Sequence, residues 1–100
     1  MRYNKLVRDK VPDNIRQSGG TPVTHVAVGA EYRNALRRKL QEEVDEYGKL
    51  RLLEELADVM EVLYALAQLD GFGPEQLEGE RQRKLAYAGG FEKRIILEEA

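Results

Sequence analysis

The chain has 100 residues, 42% of them apolar and 34% charged, enough for one compact domain and too few for two. Sixteen Lys and Arg against eighteen Asp and Glu leave a formal charge of −2, which excludes a chain-wide electrostatic grip on nucleic acid or on a membrane. The absence of cysteine excludes a disulfide framework, a thiolate zinc site and a cysteine nucleophile, so any metal must rest on oxygen ligands.

Residues 1–10 are basic but lack the apolar stretch of a signal peptide, and the strongest apolar run, residues 62–67, is too short to span a bilayer. The reading is a soluble, cytoplasmic, single-domain protein over residues 1–100, with no membrane partner. Pro12, Gly19, Gly20 and Pro22 give the first thirty residues turn chemistry rather than helical period. Residues 22–28 are rich in β-branched side chains and predict a strand from propensity more than from alternation. From Glu31 onward Leu36, Leu40, Val44 and Tyr47 recur at helical spacing, and Gly48 offers a stop. Leu52, Leu56, Val59, Leu63 and Leu66 predict a second long helix that closes at residues 70–73. Pro74 suits the first turn of a third helix running to Ala88 and ending at Gly89 and Gly90. Residues 94–97 then favour a short strand able to pair with residues 22–28. The expected fold is mainly α: two long antiparallel helices and a third, with a small β element made from the N-terminal region and the C-terminal tail.

The informative carboxylates are those inside the apolar stripes. At about 100° per residue from Leu36, Glu43 falls near −20°, between the apolar positions, and Glu46 near −80°, on the stripe's edge beside Lys39. On the second helix, counted from Leu52 at about 100° per residue, Glu55 falls near −60° among Val59, Val62 and Leu66, with Asp58 at the margin. Each helix therefore carries one acid in its apolar stripe and another three residues later on its flank. Buried acids are costly unless compensated, and two such pairs facing each other can surround a hard cation with oxygen ligands; Mg²⁺ or Mn²⁺ fits that donor set. The competing reading pairs these acids with Lys39, Arg37, Arg38 or Arg51 as ordinary surface ion pairs.

Residues 39–46, Lys-Leu-Gln-Glu-Glu-Val-Asp-Glu, followed by Glu54-Glu55-Leu56-Ala57-Asp58-Val59, resemble the E-E-x-x-E and E-x-x-D signature of the MazG-like, all-α nucleoside triphosphate pyrophosphohydrolases. The opening Tyr3-Asn4-Lys5-Leu6-Val7-Arg8-Asp9-Lys10-Val11-Pro12 is similar to the start of a phosphoribosyl-ATP pyrophosphohydrolase-like subgroup, and Gly89-Gly90-Phe91-Glu92-Lys93-Arg94-Ile95 is similar to its ending. The resemblance implies a helical bundle completed by a homodimer or higher homo-oligomer. It also implies Mg²⁺-dependent hydrolysis, with Mn²⁺ as an alternative, between the α- and β-phosphates of a nucleoside triphosphate, in nucleotide-pool housecleaning. Glu43, Glu46, Glu55 and Asp58 match the metal ligands, and Glu42, with Glu43, matches the catalytic acids that position or activate water. The eight residues between Glu46 and Glu55 are fewer than most members have, which requires a tight turn at residues 47–51.

Phosphoanhydride hydrolysis needs charge neutralisation and an in-line water more than covalent catalysis. Arg and Lys suit the remaining phosphate oxygens, and the candidates are Lys5, Arg8, Lys10, Lys84, Lys93 and Arg94. A phosphoribosyl-ATP hydrolase and a non-catalytic helical interaction module are the alternative functions. His25 lacks a second ligand nearby, the glycine pairs lack the framing of a P-loop, and Glu75, Glu78 and Glu80 dilute the basic residues of the third helix, which argues against nucleic acid.

Overall fold

The computed structural model describes residues 4–100, and Tyr3 of the opening motif lies outside them. Four helices follow in order: α1 Val11–Gln17, α2 Ala30–Leu50, α3 Leu53–Leu69 and α4 Pro74–Ala88. The fold is thus helical throughout the described residues, with no strand among them. None of these helices is long and apolar enough to cross a membrane.

The start of α1 carries one local signal, Pro12 in the first turn, where a missing N–H costs nothing. The Arg8 carbonyl accepts from the Val11 N–H at 3.0 Å and ties the segment before α1 to the helix. Seven residues hold too few turns for an apolar period to show, which is why turn chemistry alone is visible there. α2 runs past Gly48 and ends where Arg51 takes a left-handed conformation at φ 53°, its N–H bonding the Tyr47 carbonyl at 2.8 Å. That conformation is unfavourable for a residue with a Cβ, by about 1–2 kcal/mol, and the packing of the following helix holds it.

Arg51 and Leu52 are the entire connection between α2 and α3, so the two helices turn back on each other. Their contacts pair opposite ends, Arg33 with Asp70 at 2.5 Å, and Glu43 with Glu55 and Asp58. Leu36 and Val62, 2% and 7% exposed, are the buried apolar residues among those described, and Glu43 at 7% is buried with them. Of the expected apolar stripe of α3, Val62 is buried and Val59 and Leu66 are partly so, while Leu52, Leu56 and Leu63 stay exposed. α4 starts at Pro74, where the Gln76 side chain accepts from the Gly73 N–H at 2.7 Å, and ends at Gly89, whose φ of 83° suits a residue without a side chain. It packs on α3 and buries no residue of its own.

The expected β element does not form. Residues 22–28 and 94–97 are irregular, with Val23, Val26, Ile95 and Ile96 open to solvent. β-branched composition supplies a preference without a partner, and neither segment has a packed face on which to pair. The radius of gyration, 17.4 Å, exceeds the roughly 13 Å of a closed 100-residue domain. A helical hairpin with flanking segments accounts for the excess.

Candidate metal centre

The two-residue turn sets the register that brings Glu43 of α2 against Glu55 and Asp58 of α3. One carboxylate oxygen from each lies within 4.8 Å of the others. Glu43 is buried, and Glu55 and Asp58 are partly so. Three acids this close oppose one another's ionisation. Desolvation first, then the charges of Asp58 and Glu43, a hydrogen bond to Glu43 and the charge of Glu46, hold the Glu55 carboxyl above the usual carboxylate range.

Two basic side chains offset this charge. Lys39, one turn before Glu43, places its Nζ 3.1 Å from the Glu43 carboxylate and 3.6 Å from that of Glu42. Arg8, fifty residues away in sequence, donates from Nη2 to Oδ1 of Asp58 at 2.6 Å. Lys5 lies in the same segment and reaches Glu42 at 3.5 Å.

Beside the cluster lies a cleft of about 1050 Å³ between the segment preceding α1 and the α2–α3 hairpin. Glu43 and Asp58 open onto it, Lys5, Arg8, Lys10 and Lys39 lie along its wall, and Tyr32, Tyr64 and Phe72 line it as well. The donor chemistry fits a divalent cation: oxygen ligands only, one from a buried acid, with net negative charge to be neutralised.

Three of the expected ligands, Glu43, Glu55 and Asp58, come together in the cluster, whereas Arg8, expected at a substrate phosphate, pairs with Asp58. Glu46 acts on Glu55 through its charge but stands outside the three-acid cluster. Glu42 sits beside the cluster, held between Lys39 and Lys5. Lys84 is exposed on α4, where its charge helps to lower the pKa of Glu80, and Lys93 and Arg94 are exposed in the tail; none of the three lines the cleft. His25 pairs with Glu31 at 2.9 Å, outside the cluster. The Arg8–Asp58 pair carries no local sequence signal, since nothing in either helix period points to a residue fifty positions away. Phe72, read only as part of a turn, lines the cleft.

No family model matches the chain, and no solved structure does. An uncharacterized protein of Mycolicibacterium smegmatis (strain ATCC 700084 / mc(2)155) is 52% identical over 42 residues, 42% of this chain. The match spans 43% of that protein's own length.

Proposed function

We propose that the protein hydrolyses a nucleoside triphosphate between its α- and β-phosphates, giving the monophosphate and pyrophosphate, with Mg²⁺ or Mn²⁺ held by Glu43, Glu55 and Asp58. The observation that carries this reading is the convergence of three carboxylates within 4.8 Å, one of them buried, beside a cleft that also carries Lys5, Arg8, Lys10 and Lys39. A cation bound there supplies charge neutralisation at the phosphate oxygens and acidifies a water.

The chain's own residues supply the rest. Glu46, one turn from Glu43, adds negative charge to the ligand set and completes it if the helices close further. Glu42 lies at the flank, within reach of Lys39 and Lys5, where a carboxylate can orient the attacking water. Lys5, Arg8 and Lys10 suit the phosphates, as charge-assisted donors along one wall. The substitution at phosphorus can proceed by direct attack of water, with no covalent intermediate on the protein.

The same reading takes the active form to be a homodimer. Leu53, Leu56, Met60 and Leu63 form an exposed apolar surface on α3, with Leu52 just before it and Val44 of α2 also exposed. Burying such a face is the ordinary way for a small chain with a polar centre to complete its core.

The test is a panel of canonical and modified nucleoside triphosphates, and phosphoribosyl-ATP, with Mg²⁺, scored for monophosphate and pyrophosphate. Asp58→Asn is expected to lower turnover by about two orders of magnitude, as for loss of a ligand that holds the metal and its substrate. Diphosphate and phosphate as products would refute the proposed bond. A panel in which nothing is cleaved would leave the helical interaction module as the reading to pursue.

A further inference from the structure

The segment before α1 is held against the hairpin through acids of the candidate centre. Its two ion pairs lie three residues apart, Lys5 on Glu42 of α2 and Arg8 on Asp58 of α3. Apolar contact adds to these pairs, with Leu6 half-buried and Val7 37% exposed. Arg8 holds one oxygen of Asp58, a carboxylate that a cation at the three-acid cluster would also draw on, so the two cations compete for that side chain. A guanidinium is always charged, so this competition cannot be relieved by deprotonation. Both Arg8 and Asp58 remain partly exposed, at 55% and 36% of their side-chain surface, which leaves the pair exchangeable.

We infer that Arg8 is a tethered counter-ion that holds Asp58 in the metal-free protein and leaves it when a divalent cation loads, so that the segment before α1 gates the site. This rests on the proposed cation site and adds its regulation. Arg8 released from Asp58 stays in the same cleft, because its backbone carbonyl remains bonded to the Val11 N–H and Lys5 remains on Glu42. It is then the nearest cation for a substrate phosphate, and a bidentate donor to it. Metal and triphosphate binding are thereby coupled: each favours the arrangement the other needs. In the metal-free state the gate also limits repulsion in the cluster, adding to the charge that Lys39 supplies at Glu43.

The experiment is Mn²⁺ binding to the full chain by isothermal titration calorimetry without nucleotide, comparing native protein, Arg8→Gln and Lys10→Gln. The last removes the same charge from the same segment and serves as the control for a general field effect. Because an exposed ion pair must be broken only in the native protein, Arg8→Gln is expected to tighten Mn²⁺ binding about two- to fivefold, and Lys10→Gln to change it by less than about 1.5-fold. The guanidinium Nη–H resonances of Arg8 report the bond to Asp58: titration with Mg²⁺ should shift them toward their positions in metal-free Asp58→Asn. Equal Mn²⁺ affinity in native protein and Arg8→Gln, or an Arg8 resonance that Mg²⁺ binding does not move, overturns the gate while leaving the cation site standing. No Mn²⁺ binding by either protein at millimolar concentration overturns the site itself and the gate with it.

Discussion

The two faces of α3 are arranged the wrong way round for a surface helix. Toward α2 it presents Glu55 and Asp58 beside Val62, and there the charged groups are partly or wholly withdrawn from water. Away from α2 it presents Leu53, Leu56, Met60 and Leu63, which remain exposed. An amphipathic helix ordinarily buries its apolar stripe and solvates its acids. The difference teaches that the inner face is built around charge and that the outer face, where most of the apolar surface lies, is where further burial is to be gained.

Breaking the outer face should have the largest effect on assembly. A Leu56→Glu, Leu63→Glu double variant forfeits burial worth about 1.5–3 kcal/mol for each fully covered side chain, and is expected to sediment as a monomer at concentrations where the native chain is a dimer. Sedimentation velocity decides: a native chain that is itself monomeric, with the double variant unchanged in stability, would show that this face meets only water. Loading the inner face comes next. Mg²⁺ at ten times its Kd should stabilise the native protein by about 1.4 kcal/mol, a rise in Tm of about 5–10 °C for a domain of this size. Asp58→Asn should lose most of that rise.

The smallest expected effect is the pH dependence of the inner face without metal. Glu55 is held above its ordinary value by desolvation and by Asp58 and Glu43. An acid raised in the folded state contributes stability that is present below its unfolded value near 4.5 and is lost as pH rises through the folded value. Asp70, Glu78 and Glu80 run the other way. Hydrogen bonds from Arg33, Arg81 and Arg83 hold them low, and their contribution is lost as pH falls below their unfolded values. Glu55→Gln should therefore flatten the decline in Tm above pH 4.5 and leave the acid-side loss in place. A decline of the same slope in Glu55→Gln would assign it to other groups.

The three longer helices were legible because each spans enough turns for a period to show, and Pro74 and Gly89 mark α4 at both ends. The acids of the cluster were legible for the same reason: Glu43 and Glu55 interrupt apolar stripes. What the period of one helix does not contain is its rotation and register against the next. The two-residue connection fixes both, and it takes Glu43 to Glu55 and Asp58 while Glu46 passes beside them. The stop at Gly48 was misread because a left-handed Arg51, which no propensity favours, ends the helix instead. The expected strands failed through the same gap between preference and context, since β propensity describes a fit to a neighbour these segments lack.

The turn at Arg51 and Leu52 also bears on the order of assembly. All three clustered acids lie within one hairpin nested around it, whereas the Arg8–Asp58 pair closes a separation of fifty residues. Contacts between near neighbours in sequence close at lower entropic cost and form sooner. The hairpin therefore gathers its mutually repelling carboxylates before the arginine that relieves them arrives, and the gate is the last part of the site to be made.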